Sequence, residues 1–181
     1  MPISFATAQR LRQLARECRR PGALVAALLL LGTAARLRQY FAVTSYWHDE
    51  AYLLLNVFAK SFVELVGPLS HEQAAPPLFL WMLRACHLTL GPSELAMRLP
   101  ALLASLAALA LMAPLARDVG GRCGWPFAVG CAALSSALLH LTYQVKPYTT
   151  DVLTAEIILL AMVGCLKPDA TRRGQRAARG A

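Results

Sequence analysis

Charge is scarce in this sequence. Only 15% of its 181 residues are charged, and 57% are apolar. A soluble domain carries about a quarter charged residues, and its apolar residues are interspersed with polar ones. Here the apolar residues fall in long blocks. The composition therefore predicts an integral membrane protein.

Metal-ligand spacings and a signal-peptide pattern are also lacking in the sequence. The five cysteines, at positions 18, 86, 123, 131 and 165, form neither a Cys-x-x-Cys pair nor a Cys/His spacing typical of zinc sites. A zinc site is therefore not expected. No signal-peptide pattern with a small-residue cleavage site is present, so we expect the first apolar run to be retained as an anchor.

The basic residues are concentrated near the two termini, and the formal net charge is +8. The arginine-rich stretches 10–20 and 167–179 contain no aromatic residues, which nucleic-acid-binding segments use to stack on bases. Basic residues beside membrane helices remain in the cytoplasm. We therefore expect a topological role for these stretches and no nucleic-acid partner.

The long uncharged runs predict about four transmembrane helices, because roughly 20 apolar residues cross the hydrocarbon layer. The predicted spans are about 21–43, 99–116, 123–141 and 152–166. Arg36 and Arg38 lie near the outer end of the first span, where long side chains can extend to the membrane surface. Glu156 lies within the last span and would have to face the protein interior.

The run 76–90 is ambiguous, because it has only 15 residues and contains Arg84 and His87. Its length and charge favour a helix along the interface. If it does not cross, every basic segment lies on one side of the membrane, as the positive-inside rule requires. Both termini are then cytoplasmic, and residues 44–97 form one outer loop.

The predicted organisation is therefore all-α. A basic cytoplasmic arm, 1–20, precedes a transmembrane module, 21–166, and a basic, disordered cytoplasmic tail, 167–181, follows it. We expect a multi-pass protein of the inner (plasma) membrane.

Asp49 and Glu50 directly follow the first predicted span. Adjacent carboxylates at a membrane surface can supply a general base and a ligand for a metal or a substrate. Acids in a first turn also stabilise a helix through its dipole, so the pair by itself has that simpler explanation.

Other polar residues would share the outer face with this pair. They are His71 in the outer loop, Arg98 at the start of the second span, and Gln144, Lys146, Tyr148 and Asp151 around the second outer turn. A phosphate leaving group needs cations, and a hydroxyl nucleophile needs a base. Taken singly, Arg98 and Lys146 can be boundary anchors, and His71 can be an ordinary loop histidine.

Four short motifs lie on successive segments in a recognisable order. They are WHDEAY at 47–52, APPLFLWML at 75–83, ELAMRLPALL at 94–103 and YQVKPYTTDVL at 143–153. Their order resembles the N-terminal part of the GT-C glycosyltransferases. The particular resemblance is to the protein O-mannosyltransferase and aminoarabinose transferase superfamily, glycosyltransferase family 39 and its bacterial relatives.

This resemblance implies a GT-C transmembrane module with juxtamembrane helices in the first outer loop. It also implies a hexosyltransferase type of enzyme that transfers a sugar from a polyprenyl-phosphate donor in the membrane to an acceptor on the outer face. Asp49 would be the catalytic base. Glu50, Arg98 and Lys146 would contact substrate, lipid phosphate or metal. A divalent cation is the candidate cofactor, with Glu50 as its candidate ligand.

The sequence departs from the family pattern at informative positions. Gln144 stands where many relatives have Glu, and Ala75 stands where aminoarabinose transferases have a lysine. Relatives continue through many more spanning helices, so we expect this chain to be an N-terminal portion that can be inactive by itself. A non-catalytic remnant or partner subunit is the alternative. A small transporter fits less well, because the polar residues cluster in outer loops apart from Glu156.

Overall fold

The structure is a computed structural model that describes residues 21–42 and 45–179, without the side chains of residues 122–123 and 166–179. The described residues form helices and loops and contain no strand. The elements are α1 Pro21–Ala42, α2 His48–Ala59, a 3-10 turn Glu64–Val66, α3 Pro77–Leu90, α4 Glu94–Leu134, α5 Ser136–Leu141 and α6 Tyr148–Arg179. The predicted all-α fold is therefore confirmed.

Three segments are long and apolar enough to cross a membrane: Pro21–Ala42, Glu94–Gly121 and Tyr148–Cys165. Large apolar side chains remain exposed along them, such as Leu30 and Ile157. A soluble protein rarely exposes a continuous apolar surface of this kind, whereas a bilayer covers it with lipid. The fold is therefore that of an integral membrane protein.

Helix α4 consists of two limbs, Glu94–Gly121 and Gly124–Leu134, which are separated by a reversal. Gly121 has φ 62° and ψ −161°, a conformation that essentially only glycine adopts. The second limb then packs back along the first, so that Val129 lies in one apolar cluster with Ala116. One end of the bundle is therefore the Gly121 end. The opposite end, where α6 begins at Tyr148, is called the Tyr148 end.

The third predicted span, 123–141, is not a single helix. The second limb of α4 stops at Leu134, and α5 follows after Ser135, whose hydroxyl accepts a hydrogen bond from the Leu138 N–H at 3.4 Å. The two pieces together still carry the chain back to the Tyr148 end, where the Thr142 and Ser105 hydroxyls are 2.9 Å apart. Hydrophobic periodicity does not locate the break, because the run is uncharged, and the serine pair 135–136 is its local signal.

Arg36 does not extend to the membrane surface, so that prediction is wrong. Its side chain is 2% exposed and bonds to the carbonyls of Gly32, Ala132 and Ala133 and to the Ser105 hydroxyl. The carbonyls in the last turn of a helix have no intrahelical partner. The break after the second limb leaves such carbonyls inside the bundle, and the guanidinium of Arg36 satisfies two of them.

Residues 45–93, between α1 and α4, fold into a compact layer at the Tyr148 end. Its apolar core joins α2, the 3-10 turn and α3 to the start of α4, through Leu53, Leu54, Val57, Leu65, Phe79, Leu80, Leu83, Ala96, Met97 and Val145. Arg84 donates to the Val57 and Phe58 carbonyls at 3.0 and 3.1 Å, which caps the last turn of α2. Helix α3 is shorter than the candidate spans, and its place along the interface stays a prediction.

The two terminal predictions have different outcomes. The arm 1–20 lies outside the described residues. At the other end α6 runs from Tyr148 to Arg179, so residues 167–179 are helical where the sequence analysis predicted a disordered tail. Ala, Arg and Gln in this segment have high helix propensity and continue the helix beyond its apolar part.

Candidate active site

An open cleft of about 370 Å³ lies at the Tyr148 end of the bundle. One wall is the start of α2 and the other is the turn that leads into α6. The lining residues are Trp47, His48, Asp49, Glu50, Gln144, Lys146 and Tyr148. Volumes of about 300–1,000 Å³ are typical of small-molecule sites, so the cleft is large enough for the reacting part of a substrate.

Glu50 joins the two walls of the cleft. Its side chain is buried, with Oε1 accepting from the Val145 N–H at 2.7 Å and Oε2 from the Trp47 N–H at 3.0 Å. The second bond is the side-chain half of a capping box at the start of α2. Glu50 therefore fixes the turn that leads into α6 against α2, and each of its oxygens accepts a hydrogen bond.

Asp49 is in the opposite environment, although it is the neighbour of Glu50. Its side chain is 77% exposed, and Oδ2 lies 3.9 Å from the ammonium of Lys146. Successive residues of a helix point about 100° apart, as 3.6 residues per turn require. The first turn of α2 therefore presents one acid to the cleft and buries the other.

Lys146 is held in place by Gln73, which lies in the loop before α3. The lysine side chain is only 16% exposed, and its Nζ donates to Gln73 Oε1 at 3.2 Å. Gln73 follows His71 and Glu72, which have φ of 62° and 54°. Non-glycine residues rarely adopt this left-handed conformation, and it costs free energy that other contacts must offset. The turn at residues 71–73 is therefore strained and holds Gln73 against the lysine.

Arg98 does not line the cleft. Its side chain is fully buried, donates to the Ser45 carbonyl at 2.8 Å and lies 5.0 Å from the centre of the Tyr46 ring. Burial raises the pKa of Tyr46 to about 12, although the positive charge of Arg98 opposes this shift. Arg98 thus fixes the segment that leads into Trp47, and Trp47 lines the cleft.

The remaining predicted site residues divide into two groups. Gln144 and Tyr148 line the cleft, and the Gln144 amide lies 2.9 Å from His140 Nε2. His71 instead stacks on Tyr52, with ring centroids 4.8 Å apart, outside the lining. Asp151 lies in the first turn of α6, also outside the lining.

Three residues of the site were missed by the site prediction from the sequence. Trp47 and His48 line the cleft, and Gln73 bonds to Lys146. The first two precede Asp49 directly, and their place in the WHDEAY motif is a signal that could have found them. Gln73 lies in a loop without any periodic pattern, and only the fold brings it to the lysine.

The side chains that could hold a metal ion are dispersed among the described residues. Among residues 21–42 and 45–179, His, Cys, Asp and Glu side chains form no group of three or more that could hold a metal ion. The carboxylate of Glu50, the candidate ligand, already accepts two backbone hydrogen bonds. The acidic and basic side chains that line the cleft are those of Asp49, Glu50 and Lys146, and of the two carboxylates Asp49 is the exposed one.

Comparison with known proteins places the chain in a family. The sequence model of the dolichyl-phosphate-mannose-protein mannosyltransferases matches residues 74–174, more than half of the chain. The chain belongs to this mannosyltransferase family. The match confirms the resemblance to GT-C glycosyltransferases that the motifs indicate. No curated protein and no solved structure matches the chain.

The mannosyltransferase match covers only one wall of the cleft. It includes α3, α4 and the turn with Gln144 and Lys146 that leads into α6, whereas Asp49 and Glu50 precede it. Membership supports a membrane glycosyltransferase function and a lipid environment. The assignment of the acids on the other wall depends on their geometry and on the WHDEAY motif.

Proposed function

We propose that this chain contributes the catalytic cleft of a membrane glycosyltransferase. It transfers a sugar from a polyprenyl-phosphate donor to an acceptor at the outer membrane face. The observation that carries the proposal is the pairing across the cleft: an exposed carboxylate, Asp49, faces a largely buried ammonium, Lys146, at 3.9 Å. Glycosyl transfer from a lipid phosphate needs a base that takes the acceptor proton and a cation that stabilises the leaving phosphate.

Asp49 is the proposed catalytic base. The acceptor must lose a proton as its oxygen or nitrogen attacks the sugar, and a carboxylate within hydrogen-bonding reach can take it. Asp49 is the more accessible of the two acids, because Glu50 is buried and bonded to backbone N–H groups. Its side chain can therefore reach an acceptor that enters from the water.

Lys146 is the proposed cation for the lipid phosphate. A phosphate that leaves with negative charge is stabilised by a fixed cation, and a pre-oriented one costs less reorganisation. The hydrogen bond from Lys146 Nζ to Gln73 Oε1 supplies that orientation. Apolar side chains exposed on α6, including Ile157 and Ile158, provide a lipid-facing surface that suits a polyprenyl tail.

The proposed roles of the other predicted residues differ with their distance from the cleft. Gln144 and Tyr148 line the cleft and are proposed as substrate contacts, together with His48. Glu50 and Arg98 are proposed as positioning residues, since their polar atoms bond to the backbone around the cleft. His71 and Asp151 lie outside the lining, and we propose contacts for them only with the more distant parts of a substrate.

We propose that the cleft faces the outer side of the plasma (inner) membrane and that both termini are cytoplasmic. The Gly121 end carries Arg117, whose guanidinium lies over the Trp125 ring, whereas the cleft is at the other end of the bundle. Basic residues at the end opposite to the cleft agree with the positive-inside rule.

Sugar transfer in proteoliposomes tests the catalytic role. The labelled sugar is supplied on a polyprenyl phosphate, and Asp49→Asn is compared with Asp118→Asn, the same substitution near the Gly121 end. Loss of a general base costs about 10²–10⁴-fold in rate, so Asp49→Asn should be slowed by that factor and Asp118→Asn should match the wild type. Turnover by Asp49→Asn at the wild-type rate would refute the assignment.

A non-catalytic partner subunit is the second candidate function. Gln144 favours it, because a neutral amide lines the cleft where many relatives have a carboxylate. Donor binding without transfer by the wild-type chain, in the presence of acceptor, would support this second candidate.

A further inference from the structure

A small cavity with a mostly apolar lining and a few polar side chains lies inside the bundle. Its volume is about 20 Å³, and its polar lining residues are Arg36, Ser105, Thr149 and Glu156. Arg36 lies six residues before the end of α1, which corresponds to a depth of about 9 Å at a rise of 1.5 Å per residue. The cavity is therefore within the bundle and separate from the cleft.

The two acceptor-bearing residues of α6 are the unusual feature of this cavity. Glu156 is 5% exposed and Thr149 is 3% exposed, so the interior position expected for Glu156 is confirmed. Glu156 Oε2 and Thr149 Oγ1 have no hydrogen-bond partner among the described residues. A buried polar atom without a partner costs free energy in a medium of low polarity. A native bundle therefore needs a partner for both atoms.

Arg36 does not supply that partner directly in the structure. Its donors bond to Ser105 and to the carbonyls of Gly32, Ala132 and Ala133. Its charge interacts electrostatically with that of Glu156, yet no direct ion pair joins the two within the described part of the chain. Something between them must complete the hydrogen bonding.

The size and charge of the cavity select the occupant. A site needs about 10–15 Å³ to admit one water molecule and two to four polar partners to hold it. A cation would be repelled by Arg36, an anion would be repelled by Glu156, and a lipid chain is too large. One water molecule fits both the volume and the available hydrogen bonds.

We propose that this cavity is a binding site for a single ordered water molecule. The water donates to Glu156 Oε2 and bonds to the Thr149 hydroxyl, and it completes the interaction between Glu156 and Arg36. Because Arg36 contacts both limbs of α4, the water connects α6 to the rest of the bundle, next to the turn that carries Lys146. This inference is independent of the proposed sugar transfer.

Infrared difference spectroscopy tests the proposal in the full chain. The protein in lipid nanodiscs is hydrated with H₂¹⁶O or H₂¹⁸O, and the O–H stretching band of a tightly bound water shifts between the two. Thr149→Val keeps the side-chain shape and removes one partner of the water. Thr154→Val is the matched control, because the exposed Thr154 hydroxyl bonds to the Thr150 carbonyl of its own helix at 2.7 Å.

We expect an isotope-sensitive band in the wild type and in Thr154→Val, and its loss in Thr149→Val. The unfolding equilibrium constant of Thr149→Val should rise about tenfold, since a buried group then lacks a partner, whereas that of Thr154→Val should change little. No isotope-sensitive band in the wild type would overturn the site. A band that persists in Thr149→Val would also overturn it, because the water would then be bound elsewhere.

Discussion

Substitution of Glu50 separates a positioning role from a metal-binding role. Glu50→Ala removes two hydrogen-bond acceptors. Oε1 accepts from the buried Val145 N–H at 2.7 Å, and Oε2 accepts from the partly buried Trp47 N–H at 3.0 Å. A buried donor left without an acceptor costs about 1–3 kcal/mol, and the Trp47 N–H, which water can reach, costs less. We therefore expect a loss of about 2–4 kcal/mol in the free energy of unfolding.

Glu50→Gln should lose less stability than Glu50→Ala. The amide retains one carbonyl oxygen, so one N–H keeps its acceptor while the other faces an NH₂ group, and the expected loss is about 1–3 kcal/mol. The measurement is denaturant-induced unfolding of the purified chain in detergent. Amide hydrogen exchange at Val145 should accelerate in both variants.

Glu64→Ala is the matched control for these measurements. Glu64 also accepts a backbone hydrogen bond, from the Ser61 N–H at 2.8 Å, but it is exposed, so water replaces the lost bond. Its loss of stability should be clearly smaller. The reasoning fails if Glu50→Ala unfolds within about 0.5 kcal/mol of the wild type, the range typical of surface substitutions.

The transfer assay completes the separation of the two roles of Glu50. If Glu50 only positions the turn that leads into α6, Glu50→Gln should slow transfer less than Asp49→Asn does, and a chelator should have no effect on the wild type. Equal losses in the two variants, together with inhibition by the chelator, would instead indicate that Glu50 holds a metal.

Three further predictions concern donor binding, pH and topology. Lys146→Ala should raise the KM for a polyprenyl-phosphate donor about 10–100-fold, since hydrogen bonds to charged groups contribute about 1.5–3 kcal/mol. Gln73→Leu should raise this KM less. An unchanged KM in both variants would exclude a phosphate contact. Burial raises the pKa of Tyr46 from 10.0 to about 12, so its contribution to stability is present below pH 10 and is lost as the pH rises from 10 to 12; a Tyr46→Phe variant should lack this decline in alkaline unfolding curves. A cysteine at position 60, in a background without other cysteines, should react with an impermeant reagent only from the outer side, and labelling from the cytoplasmic side alone would refute the orientation.

The sequence by itself determined the class of protein and indicated the segments that line the candidate cleft. Hydrophobic runs report membrane spans because the bilayer constrains each segment locally, by length and charge. The WHDEAY and YQVKPYTTDVL motifs likewise indicated both walls of the cleft, because each wall is one short continuous segment. The family match confirms the membrane glycosyltransferase assignment.

Only the tertiary structure decided which contacts each polar residue makes. Asp49 and Glu50 are adjacent acids, and nothing in the sequence shows that the Glu50 carboxylate bonds to a backbone N–H 95 residues away and is buried by this contact. Arg36 and Gln73 reach partners 97 and 73 residues distant, so no local pattern could assign their roles. The physical reason is that the burial and hydrogen bonding of a side chain depend on the segments packed around it. Those segments come together only when the two limbs of α4 reverse at Gly121 and return the chain to the Tyr148 end.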